Sequence, residues 1–229
     1  MSEKTKERSA LERIKSDPVS RRRFLALTGG TGAAGAFLAA CGSDDSSTTS
    51  STTETSTSGG TTDSGGDPLA DFGKGDLGIV NYALTLEYLE AGFYAAVAKS
   101  GLFKGDDLAL IKAIGKNEEE HVAALTATAK KLGGKPAAEP KANFPLKDAK
   151  SVLELAATVE NLGAAAYLGQ AGAIENPDVL AAALSIHTVE ARHAATLNVL
   201  TKQSPTPDGA FAKPADAKTV LDQVQPFLA

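Results

Sequence analysis

The chain has 229 residues, 42% of them apolar and 22% charged, and a formal net charge of −5. That balance excludes a fibrous or wholly disordered protein, and the acidic charge argues against a nucleic-acid partner, whose phosphates call for a basic surface. With 5% aromatics, no tryptophan, abundant alanine and a single cysteine, neither a β-sandwich nor an internal disulfide framework is expected; closely packed helices, an all-α fold, are.

The chain opens on an address. Residues 20–25 read "SRRRFL", followed by the Gly- and Ala-rich run "ALTGGTGAAGAF" and then "LAAC" ending at Cys41. This resembles a twin-arginine export signal, with Arg21 and Arg22 as its pair, closed by a bacterial lipoprotein cleavage box. The resemblance implies a signal peptide over 1–40, lipidation of Cys41 and a mature protein held at the outer side of the cytoplasmic membrane. The competing reading is an uncleaved anchor, but its apolar stretch of about 17 residues falls short of the roughly 20 that span a bilayer. Cleavage would remove more basic than acidic residues and leave the remainder clearly acidic. The next stretch, "GSDDSSTTSSTTETSTSGGTTDSGGD", has no apolar side chain, so 41–67 is read as a flexible tether and 68–229 as the folded domain.

Four helices are predicted there, over Asp76 to Gly101, Asp106 to Gly133, Asp148 to about Asn176 and Pro177 to about Lys202, with capping residues opening several of them. The short "LFKG" makes the first two antiparallel neighbours, whereas "GKPAAEPKANFPLK" is long enough to run back along a helix. The pattern is a four-helix bundle with one long crossover, and "PADAKTVLDQVQPFLA" adds a short C-terminal helix. The core stripes read Leu77, Val80, Leu84, Glu87, Ala91, Tyr94, Ala98; then Ile114, Glu118, His121, Leu125, Thr128, Leu132; then Leu153, Glu160, Tyr167, Ile174; and last Ala183, Ile186, Glu190, His193, Leu197, Leu200. A glutamate interrupts each one at a similar distance from its helix start. The halves also repeat: "EYLEAGFY" from Glu87 matches "ENLGAAAY" from Glu160, and "EEEH" ending at His121 matches "EARH" ending at His193.

Four ionised carboxylates at one depth would repel each other and cost several kcal/mol apiece if unpaired. Two divalent cations would balance Glu87, Glu118, Glu160 and Glu190, and residues three apart share a helix face, so each Glu-x-x-His can aim an oxygen and a ring nitrogen at one ion. An oxygen-rich set with one imidazole per ion favours iron or manganese over zinc. Glu90 lies on a second apolar line with Phe93 and Val97, but its counterpart is Gly163, so it is placed beside the site and not among the ligands. His187 falls off the stripe and reads as a hydrogen-bonded, half-buried histidine; Glu119 and Glu120 read as solvated.

These residues resemble the ferritin-like dimetal-carboxylate proteins, in which one Glu from each of two helices joins Glu-x-x-His from each of the other two. The resemblance covers 76 to about 202, and "LEYLEAGFY" and "VEARHAA" look most like exported ferritin-like domain proteins of the desiccation-related type. It implies that Glu118 and Glu190 bridge two metals, that Glu87 and Glu160 are terminal ligands, that His121 and His193 each cap one ion, and that Tyr94 and Tyr167 stand behind the ligands, unless they are simply core aromatics. The function it implies is an envelope oxidoreductase, ferroxidase or catalase-like, acting on a small oxidant, dioxygen or hydrogen peroxide. The alternative is a non-catalytic, metal-stabilised helical module for envelope stress or desiccation. No Cys-x-x-Cys pair exists to hold a rubredoxin iron, and a lipidated tether suits a monomer or dimer better than a storage cage.

Overall fold

A computed structural model describes residues 67–229. The signal at 1–40 with Arg21 and Arg22, the lipid site Cys41, and all but the last residue of the tether lie outside the described residues. Five α-helices follow, α1 (Gly75–Lys99), α2 (Gly105–Lys131), α3 (Ala149–Ala171), α4 (Pro177–Leu200) and α5 (Ala217–Val224), with 3-10 turns at Ala70–Phe72 and Gln225–Phe227. Helices α1 and α2 pack as one hairpin and α3 and α4 as another, and the hairpins meet along α1 with α3 and α2 with α4. The all-α bundle with its crossover is as expected. No helix among the described residues is long and apolar enough to cross a membrane.

The helix ends depart from the sequence reading in two places. Lys74 and Lys104 precede α1 and α2 without a side-chain cap. Asp76 instead accepts from the backbone N–H of Glu175 (2.9 Å) and Asn176 (2.8 Å), tying the start of α1 to the turn between α3 and α4. Helix α3 stops at Ala171, not near Asn176, because Asn176 accepts from the N–H of Asp178 and Val179 as the cap of α4, and a residue before proline is pushed out of helical geometry. The stripe of α4 also ends early: Leu197 is fully buried, but Leu200 is 44% exposed.

The crossover, residues 132–148, is extended and held by few but specific groups. Buried Asn81 donates to Lys135 O (3.2 Å) and Phe72 O (2.9 Å) and accepts from Ala137 N (2.9 Å). Phe144 packs edge-on against Phe93, and Asn143 N donates to Phe227 O, so the crossover and the C-terminus brace each other. Helix α5 lays Ala217, Val220 and Val224 on Tyr82, Leu86, Leu89 and Ala166. Its approach is steered by Gly169, where a Cβ would lie 1.9 Å from Ala215 O.

Two apolar clusters fill the bundle on either side of one polar level. Phe93, Val97, Ile111, Ile114 and Leu197 belong to one, and Val80, Leu84, Leu125, Val179 and Ile186 to the other. The groups between them therefore sit in a low-dielectric layer, where charge is expensive unless matched.

Candidate metal centre

The four stripe glutamates meet in that layer. Glu87, Glu118, Glu160 and Glu190 have no exposed surface, and His121 and His193 are buried beside them. Their ligand atoms form two groups within which all atoms lie inside 4.8 Å of one another: Glu87, Glu118, His121 and Glu190 in one, Glu118, Glu160, Glu190 and His193 in the other. Glu118 and Glu190 belong to both. The i, i+3 spacing brings each Glu-x-x-His pair to the same point, and antiparallel hairpins of equal build bring the two points side by side.

Both imidazoles turn Nδ1 inward. That of His121 lies 2.9 Å from Glu118 Oε2, 3.1 Å from Glu190 Oε1 and 3.2 Å from Glu87 Oε2; that of His193 lies 3.0 Å from Glu118 Oε1 and 3.2 Å from Glu160 Oε2. One ring nitrogen carries at most one proton, so it cannot satisfy three carboxylates. Glu118 Oε1 and both oxygens of Glu190 indeed lack any hydrogen-bond donor. Orphaned carboxylate oxygens facing nitrogen lone-pair positions form a donor set that could hold metal ions, so the residues present fit the group that the sequence implies.

Proton affinities follow from this crowding. Burial pushes Glu87 up to about 7 despite the hydrogen bonds from His121 and Tyr167. Burial, and then repulsion among the carboxylates, holds Glu190 and Glu90 well above the usual range. Glu118 goes the other way: burial opposes its charge, yet the two histidines win and bring it down to about 2. Burial likewise opposes charging of the rings, but their carboxylate partners push His121 up to about 12 and His193 to about 9. Without metal, protons serve as the counter-ions.

Tyr94 and Tyr167 touch the site through an exchange between the hairpins. The Tyr94 hydroxyl donates to Glu160 Oε1 and the Tyr167 hydroxyl to Glu87 Oε1. Each therefore orients the glutamate of the opposite repeat, not the one a heptad before it. His187 is half-buried and bonds Ala164 O through Nδ1 (3.0 Å), and Glu119 and Glu120 are exposed, as their off-stripe positions suggested. Asn117, absent from the stripe reading, reaches Nε2 of His193 at 3.0 Å; its only sequence signal is its place next to Glu118.

Glu90 belongs to neither group, yet it is buried against the site. A Cβ on Gly163 would stand 2.8 Å from Glu90 Oε1 and 3.1 Å from Glu190 Oε2. The repeat's missing side chain is thus the space that Glu90 uses. Gly163→Ala is expected to displace both carboxylates, to lower the melting temperature by overpacking worth about 1–3 kcal/mol, and to reduce metal content; adding Glu90→Ala removes the closer of the two clashes and should restore part of each loss. Calorimetry with elemental analysis of the single and double variants checks this.

A family model for the ferritin-like domain matches residues 75–203. Among solved structures, the chain is similar to the crystal structure of a conserved hypothetical protein, rv2844, from Mycobacterium tuberculosis, at 22% identity and a TM-score of 0.49, covering 62% of this chain and 95% of that one. No curated protein matches.

Proposed function

The chain belongs to the ferritin-like domain family, and from that premise we propose that it is an exported, membrane-tethered oxidoreductase whose bundle holds two iron or manganese ions and brings them to dioxygen or hydrogen peroxide. The observation that carries this reading is the pair of overlapping ligand groups sharing Glu118 and Glu190. In this reading Glu118 and Glu190 would serve both ions, Glu87 with His121 would complete one position, and Glu160 with His193 would complete the other. Iron or manganese bound there supplies the one-electron exchange with an oxidant that these side chains lack.

The surrounding residues suit that chemistry. Tyr94 and Tyr167 hold the terminal glutamates in place by hydrogen bonds, as outer partners of metal ligands do. The two apolar clusters keep bulk water from the carboxylates. An apolar cleft lined by Ile79, Val80, Ala83, Leu125 and Val179 reaches Tyr167, one hydrogen bond from Glu87, and its lining admits a small uncharged oxidant more readily than an ion. In this reading the domain sits outside the cytoplasmic membrane on a lipid anchor, as a monomer or dimer; the signal resemblance at Arg21, Arg22 and Cys41 supports the export and the anchor.

Elemental analysis of natively exported protein is expected to find two iron or manganese ions per chain, with turnover in Fe(II)-oxidation or peroxide-consumption assays. Two ions without turnover would favour the metal-stabilised module instead, and no metal would end both readings.

A further inference from the structure

The duplication that builds the site breaks at its rim. Aligning the hairpins pairs Glu118 with Glu190, His121 with His193, and therefore Asn117 with Val189. The two rings are otherwise alike, 6.5 Å apart, 33° between planes and with Nδ1 turned inward. The amide nitrogen of Asn117 meets the outer nitrogen of His193 at 3.0 Å (Nδ2 to Nε2) across the α2–α4 contact. No side chain among the described residues hydrogen-bonds the outer nitrogen of His121, and valine at 189 offers neither donor nor acceptor.

We propose that Asn117 is a positioning residue that fixes His193 with its lone pair on Nδ1, making the Glu160/His193 position the tighter of two unequal cation positions. This rests on the dimetal reading above. An imidazole that binds a cation through Nδ1 carries its proton on Nε2, and that N–H then needs an acceptor. The amide of Asn117 is the right distance away. In the metal-free arrangement Nδ2 faces the ring; a half-turn of the amide puts its oxygen there instead with no change of shape, and the side chain then serves as that acceptor without repacking. At His121 the same N–H is left to water. Outer hydrogen bonds of this kind are worth about 10–100-fold in metal affinity.

Titration of the metal-free protein with Co(II), followed by absorbance, tests the proposal. Two successive binding steps are expected, with dissociation constants about 10–100-fold apart. His193→Ala should remove the tighter step and His121→Ala the weaker. Asn117→Ala should weaken the tighter step to near the level of the other, whereas Asn117→Asp, which keeps an acceptor, should hold the two steps apart. In the Zn(II)-loaded protein, nitrogen-15 spectra should show a slowly exchanging Nε2–H on His193 that Asn117→Ala exposes to solvent, a change that a merely structural asparagine would not produce. Two equal steps in the parent protein, or an unchanged tighter step in Asn117→Ala, overturn the proposal while leaving the dimetal reading intact; no Co(II) binding at all overturns both.

Discussion

Replacing Glu118 with alanine is expected to abolish both ions and to lower the melting temperature of the metal-free protein by about 6–20 °C. Glu118 stands in both ligand groups, so its loss takes one oxygen from each, whereas Glu87→Ala or Glu160→Ala removes a ligand from one group and should leave one ion. The metal-free effect has a separate origin. Among the buried carboxylates Glu118 is the one held ionised, down to about 2, because two imidazoles lie against it, His121 hydrogen-bonded to Oε2 and His193 Nδ1 3.0 Å from Oε1. At Glu190 and Glu90 desolvation wins and the acid form prevails; at Glu118 pairing wins. Removing one partner of a buried ion pair costs about 3–5 kcal/mol, and about 2–4 °C accompanies each kcal/mol in a domain of this size. Elemental analysis and calorimetry of Glu118→Ala beside Glu87→Ala check both parts. Two ions retained in Glu118→Ala would show that the shared-ligand assignment is wrong.

Much of the site was legible because its logic is one-dimensional. Glutamates that interrupt an apolar stripe, an i, i+3 histidine and a repeat of near-constant spacing all follow from helical periodicity, and antiparallel helices convert equal spacing into equal depth. What needed coordinates was contact between elements. Tyr94 follows Glu87 by two turns, about 10.5 Å along one helix, so a heptad match cannot bring the two together; the hydroxyl finds Glu160 on another helix. The same holds for Asn117, which lies off the stripe and meets His193 across the bundle, and for Asp76, which opens the first predicted helix and in the fold clamps the α3–α4 turn. Glu90 shows a further limit. The broken symmetry at Gly163 was visible in the sequence, but it read as a reason to discount Glu90, and only the geometry shows that the glycine is what makes room for that carboxylate.

Metal-free and metal-loaded protein should respond to pH in opposite directions. Glu87 has a folded value of about 7 against an ordinary 4.5, so the folded state binds the extra proton, and that stabilisation, up to about 3 kcal/mol, is present below pH 4.5 and lost as pH rises through 7. His121 and His193, raised from 6.5 to about 12 and about 9, likewise contribute stability that is complete below pH 6.5 and fades as pH rises through those values. Glu118 has the reverse sign, but its contribution is lost only as pH falls from 4.5 towards 2, outside the physiological window. Between pH 5 and 9 the metal-free protein should therefore lose stability steadily, by several kcal/mol or about 10 °C. Cations replace those protons, so binding releases them and tightens with pH, and each position filled at 100 times its dissociation constant adds about 2.7 kcal/mol. The gap between loaded and metal-free melting curves should widen from pH 5 to 9, to about 10–20 °C. Curves that stay parallel across that range would mean that the buried acids and imidazoles are not where the ions bind, since ions that displace their protons must make the gap depend on pH.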